Sequence, residues 1–207
     1  MSEPVKENKI LLILAHPALE RSKLNAELMV TIPASDAVTV HDLYQHYPYF
    51  SIDVAAEQAL LSEHDIIVFQ HPFYWYSVPA LVKQWMEVVL THGFAYGAQG
   101  AALQGKLWLN ILTTGAAESS YTADGLNGMS IWELLAPLRA TASLCGMCFL
   151  PPAVFYHAPL IYASQEALLA AKTNYRSMLE RIQSTSVQIL SGVTVENLLS
   201  WGESADT

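Results

Sequence analysis

The stretch KILLILAHPALERSKLN, residues 9–25, decides between two architectures. Its first seven residues form an almost unbroken apolar run, the pattern of a strand covered on both faces, as in a parallel sheet lying under helices. The ten that follow, HPALERSKLN, lead into a helical pattern and contain no glycine. A dinucleotide-binding turn needs G-x-G-x-x-G so that a pyrophosphate can approach the backbone, and a P-loop needs G-x-x-x-x-G-K-[ST]; neither is present. A longer loop carrying hydroxyl and amide groups into a helix start suits a single terminal phosphate instead, held by backbone N–H groups and the helix dipole.

Working outward, the same alternation recurs along the chain. Apolar runs at 9–15 (KILLILA), 37–43 (AVTVHDL), 65–70 (DIIVFQ), 106–114 (KLWLNILTT) and 147–156 (MCFLPPAVFY) read as strands. Stretches 22–32, 53–63, 79–90, 131–143 and 164–184 carry helical spacing. Ser22, Asp53 and Ser164 stand where N-caps belong, and Pro79 fits a first turn. Pro137 predicts a kink or a late start in the fourth helix, and Pro151-Pro152 places the fifth strand at an edge or interrupts it. The tail after Ser184 gives no strong pattern and stays unassigned. The reading is one domain: a flavodoxin-like, doubly wound, five-stranded parallel sheet of order 2-1-3-4-5 with helices on both faces, and an FMN-type ligand at its switch point.

Composition narrows the function. Of 207 residues only 14% are charged and 52% are hydrophobic, with a mean hydropathy of +0.26, so much surface is expected to be hidden, as in a homo-oligomer. A net charge of −9 without a cluster of lysines or arginines argues against nucleic acid and against electrostatic attachment to an anionic membrane. No apolar run reaches the about 20 residues of a membrane span. The polar start MSEPVKENKI lacks the pattern of a secretory leader, and the expected location is the cytoplasm. Cys145 and Cys148 form a lone C-x-x-C. It follows a helical stretch, where the negative dipole end opposes a thiolate, and the two read as buried small hydrophobes rather than a redox or zinc site.

In a flavodoxin-like sheet three loops converge beyond the strand ends. The first offers His16, Ser22 and Asn25, which can bond a phosphate or pin the loop; singly, Ser22 reads as a cap and His16 as a strand-end histidine bonded to backbone. The second, Pro72 to Val78, sets Phe73, Tyr74, Trp75 and Tyr76 side by side. Successive side chains diverge, so some ring faces are presented at the strand's open end, suiting a flat heterocycle that needs aromatic walls and a polar rim. Phe73 or Tyr76 fits a core or subunit interface more readily than Tyr74 or Trp75. The third loop, TTGAAESSYTADGLNG, is expected to edge the ring with Thr113 to Ala116, Gly115 giving backbone freedom. Tyr121 is expected to donate a hydrogen bond where negative charge builds on a reduced ring. An ordinary surface loop would have similar composition.

The stretches LAHP…RSKLN, DLYQHYPYFSIDVAAEQALL, FQHPFYWYSVPALVKQWMEVVLTHGFAYG, TTG and CGMCFLPP closely resemble the flavodoxin-like NAD(P)H:quinone reductases, and among them the ancillary subunits of bacterial glutathione-regulated potassium-efflux antiporters. The resemblance covers roughly residues 9–180. It implies FMN, NAD(P)H as cosubstrate, a quinone or other small acceptor, a homodimer with its active site at the subunit interface, and an antiporter partner. It implies that His16, Ser22, Lys23, Leu24 and Asn25 hold the phosphate region, that Pro72, Phe73, Tyr74, Trp75 and Tyr76 flank the isoalloxazine, and that Thr113, Thr114, Gly115 and Ala116 edge it. Where such proteins usually carry a second glycine, this chain has Ala116, which a backbone with negative φ accommodates. Mammalian quinone reductases match Tyr121 and carry a histidine at the position of Asn127. Asparagine can hydrogen-bond there but cannot take up a proton.

Overall fold

The computed structural model describes residues 7–32, 35–194 and 197–200; most of the polar start and the last seven residues lie outside them. In chain order the elements are β1 (Ile10–Leu14), α1 (Lys23–Met29), β2 (Val38–Asp42), α2 (Leu43–His46), α3 (Val54–Glu63), β3 (Ile66–Pro72), α4 (Ala80–Val89) and β4 (Leu107–Thr113). Then come α5 (Ile131–Leu134), α6 (Ala136–Leu144), β5 (Cys148–Phe149), β6 (Ala153–Phe155), α7 (Ala158–Ala163), α8 (Gln165–Ser184) and α9 (Val187–Leu190).

All strand pairs are parallel, in the order β2-β1-β3-β4-β5, with β6 also on β4. The expected order holds, but among the described residues the sheet has six strands rather than five. Pro151 and Pro152 bring no N–H to the ladder, so the fifth run pairs with Leu107 and Trp108, breaks, and resumes opposite Ile111 to Thr113. Pro137 acts as expected: the fourth helix divides at Leu135, between α5 and α6. Ser130 and Glu133 form a capping box at the start of α5.

The apolar runs are strands because both faces are covered. Leu11, Ile13, Ile67, Phe69, Trp108 and Leu112 face one core with Leu61, Trp85 and Val89, while Ile10, Leu12, Ile66, Val68, Leu107 and Ile111 face the other with Leu28, Tyr175 and Ile182. Each fully buried Leu or Ile contributes about 1.5–3 kcal/mol, and β1 and β3 are buried along their whole length. The register aligns Leu14 with Gln70 and Pro72 with Thr113, so the tips of β3 and β4 end level with each other.

One buried cluster in the first core is polar. The Glu57 carboxylate, fully buried on α3, accepts from Trp85 Nε1 (2.7 Å) and the Tyr47 hydroxyl (2.6 Å) and pairs with His41 Nε2 (2.7 Å). Burial pushes its pKa up, but these hydrogen bonds and the attraction of His41 more than offset burial and hold it below the usual carboxyl value. Cys145 is buried and Cys148 half-buried, both as free thiols whose pKa burial raises. Among the described residues no group of three His, Cys, Asp or Glu could hold a metal ion, and no helix is long and apolar enough to cross a membrane.

Candidate functional site

A cavity of about 540 Å³ opens at the C-terminal ends of β1, β3 and β4. The loop after β1 supplies His16 and the run from Arg21 to Asn25. Pro72 and Tyr74 come from the end of β3, Thr113, Thr114 and Gly115 from the end of β4, and Tyr162 from α7. Among the described residues Arg21 and Lys23 are the only charged ones lining it, and Lys23 Nζ also lies 5.0 Å from the Tyr162 ring centre. The third loop holds α7 in place, since Ala158 N–H donates to Thr114 O (2.8 Å) and His157 N–H to Ala116 O (2.9 Å). Tyr162 thereby closes a wall that no local sequence pattern assigns.

Ser22 sits at the N-cap of α1 but does not cap it. Its hydroxyl oxygen accepts from Asn25 Nδ2 at 3.0 Å instead, and the same nitrogen donates to Thr113 Oγ1 at 3.0 Å. Asn25 is therefore the pin between the first and third loops. His16 Nδ1 accepts from Ala18 N–H (3.1 Å), which leaves the proton of a neutral ring on Nε2, 3.5 Å from the Tyr74 hydroxyl. Burial lowers the His16 pKa, only partly opposed by Glu20, and favours that neutral form.

The four aromatics diverge as their adjacency requires. Phe73 is buried in the first core, Tyr74 lines the cavity, Trp75 is 94% exposed and Tyr76 half exposed. Trp75 (φ 51°) and Tyr76 (φ 60°) are both left-handed, and Ser77 N–H donates to Tyr74 O at 3.0 Å. This is a tight turn with positive φ at both central positions, where Asn-Gly is favoured and bulky side chains cost about 1–3 kcal/mol each. The Tyr76 hydroxyl donates to Asn127 Oδ1 (3.2 Å), tying the second loop to the third.

In the third loop Gly115 has no positive φ, contrary to the expectation of unusual backbone there. A Cβ built on it would meet nothing within 4 Å, so its role is to leave space on the cavity wall. Ala116 also stays out of the left-handed region, which suits its side chain. Tyr121 and Asn127 do not line this cavity. Tyr121 packs between Phe73 (6.3 Å) and Tyr156 (5.8 Å) in the wall of a second cavity of about 640 Å³ beyond the loop. Burial raises its pKa, partly opposed by the nearby Thr114 side chain, whose own hydroxyl donates to Ala116 O at 2.8 Å.

A family model described by its flavodoxin-like fold, Flavodoxin_2, matches residues 8–179. The chain belongs to this family. It is 47% identical over 168 residues to a glutathione-regulated potassium-efflux system ancillary protein, KefG, of Salmonella paratyphi C, covering 79% of this chain and 90% of the relative. Among solved structures it is similar to general stress protein 14 of Treponema denticola, crystallised with FMN (39% identity, TM-score 0.79, 84% of this chain and 99% of that one). It is also similar to an NADPH-quinone reductase from P. pentosaceus (31% identity, TM-score 0.73, 90% and 99%).

Within this flavodoxin-like frame, reading the sequence missed Arg21, Ala158, Pro159, Tyr162 and Ala163 as cavity residues. Arg21 had a signal, since it precedes Ser22 in a loop already suspected of holding phosphate. The α7 residues had none, because they reach the cavity only through hydrogen bonds made to the third loop.

Proposed function

We propose that the chain is an FMN-dependent NAD(P)H:quinone oxidoreductase working by two-electron, ping-pong transfer. The observation that carries this reading is the composition of the first cavity. Hydroxyls, two cations and an open glycine wall meet at the tips of three adjacent strands. Its volume lies within the about 300–1,000 Å³ of ligand pockets, and its donors fit a phosphate at one end and a flat ring along Pro72, Tyr74 and Gly115. The chemistry supplied by bound FMN is passage of two electrons from NAD(P)H to a quinone through one ring.

The chain's own groups bind, orient and polarise. Arg21 and Lys23 offset phosphate charge locally in a protein of net charge −9, a task for which the seven-residue α1 offers little dipole. Ser22, Lys23, Leu24 and Asn25, with His16, form the phosphate end. Thr114, Gly115 and Ala116 edge the ring, with Thr113 joining that edge to Asn25. Tyr74 stands as the ring's wall inside the cavity, Phe73 supports the turn from the first core, and Trp75 and Tyr76, outside the cavity lining, are placed to cover the ring from the solvent side. The Tyr121 hydroxyl, in the wall of the second cavity just beyond this edge, keeps its proton to donate toward charge that builds there. Asn127 takes no proton and acts by holding Tyr76 in place.

Trp75 and Leu126 flank the Tyr76–Asn127 hydrogen bond and are 94% and 88% exposed, which supports a homodimer closing over the site. The relatives named as potassium-efflux ancillary proteins favour a second role, as a cytoplasmic subunit of an efflux antiporter. Co-purification with such an antiporter, and loss of efflux on deletion of the chain, test that role.

The visible spectrum of the purified protein tests the main reading. Flavin absorption that bleaches with NAD(P)H and returns on adding a quinone is the expected result. A colourless protein that neither takes up added FMN nor oxidises NAD(P)H with a quinone overturns it.

A further inference from the structure

A chain of buried polar side chains runs from the second core to the cavity. Tyr175 on α8 and Gln70 on β3 have no exposed surface, Asn25 has 2% and Thr113 has 6%. The Tyr175 hydroxyl donates to Gln70 Oε1 at 2.7 Å, Gln70 Nε2 donates to Asn25 Oδ1 at 3.3 Å, and Asn25 Nδ2 donates to Ser22 and Thr113. Polar groups in a core are costly unless each is matched, so a matched chain that ends at a cavity calls for a reason.

The reason is direction. With the phenol donating, Gln70 turns its oxygen to Tyr175 and its amide hydrogens to Asn25. Asn25 then turns its oxygen to Gln70 and its amide hydrogens to the two hydroxyls. Ser22 and Thr113 each accept at oxygen and keep their own proton for another acceptor. Both line the cavity beside Arg21 and Lys23, so two O–H donors and two cations face the same space. Were the chain reversed, both hydroxyls would donate to Asn25 Oδ1 and present lone pairs to the cavity, repelling an anion.

We propose that Tyr175 and Gln70 are positioning residues that set the sense of this chain and so make Ser22 and Thr113 donors to a phosphate monoester. The inference rests on the flavin reading above and adds the residues that select the phosphorylated flavin over its phosphate-free form. Tyr175→Phe keeps the ring that packs in the core and frees the Gln70 amide to turn round. Gln70→Met keeps the volume and removes both links.

The test is titration of the full chain, stripped of flavin, with FMN and separately with riboflavin, read by flavin fluorescence, with thermal unfolding to verify folding. Each variant should lose about tenfold in FMN affinity, the worth of a hydrogen bond to a charged group, while riboflavin affinity stays within about twofold. An unchanged preference for FMN in folded variants, or parallel loss of both flavins, overturns the inference and leaves the flavin reading standing. Failure of the unaltered chain to bind either flavin sinks that reading, and the inference with it.

Discussion

On one face of the sheet Glu57 gathers hydrogen bonds from His41, Tyr47 and Trp85; on the other, Asn25 gives both amide hydrogens to hydroxyls that line the cavity. The first cluster is charged and closed: its donors come from β2, the segment after α2, and α4, and they meet on one carboxylate with no exposed surface. The second is neutral and open, because its last members, Ser22 and Thr113, keep unused donors toward a ligand. The closed cluster locks the elements around α3 against one another. The open one fixes orientation, which serves binding more than stability.

Glu57→Ala gives the largest expected effect. It leaves Trp85 and His41, both buried, and the half-buried Tyr47 without their acceptor and should lower unfolding free energy by about 3–5 kcal/mol in urea titration. FMN affinity of the folded fraction should hardly move. A loss below about 1 kcal/mol would erase the distinction between the clusters.

Acid sharpens the same contrast. Glu57 has a depressed folded-state pKa, so its contribution is complete above the ordinary carboxyl value and is lost as pH falls through the folded one. The stability gap between the unaltered chain and Glu57→Gln should therefore close on acidification. A gap that widens toward low pH would contradict the sign of the shift. The neutral chain from Tyr175 to Ser22 contains no carboxylate and should contribute no comparable slope.

The smallest effect extends the division to the surface. Trp75, left-handed and 94% exposed, stores strain without compensating burial, so Trp75→Gly should raise stability by about 1 kcal/mol while weakening flavin binding. Equal stability and unchanged flavin affinity would deny the ring any part in the site.

Much of the fold was legible because buried parallel strands write themselves as unbroken apolar runs, and because proline acts locally. Pro137 divided α5 from α6 and Pro151-Pro152 divided β5 from β6 where the chain chemistry said they would. Less of the site was legible. Ser22 carries the right side chain for a cap, yet Asn25 provides a better-placed donor and takes its oxygen. Nothing in DVAAEQALLSE marks Glu57 as buried, since its partners lie at positions 41, 47 and 85. The turn Tyr74–Ser77 has no glycine or asparagine to announce its two positive φ angles, and its geometry alone sent Trp75 outward.

The sequence by itself determined the order of strands and helices, the absence of a pyrophosphate-binding turn, and which three loops carry hydroxyl, amide and aromatic groups. Those follow from residue type and short-range spacing, where burial and backbone freedom act on neighbours in the chain. Only the tertiary structure decided which oxygen receives which proton. It also decided that Tyr162 walls the first cavity and Tyr121 the second. Hydrogen bonds form across space at about 3 Å, and residues 25, 70, 113 and 175 come that close only after the sheet and its helices have packed.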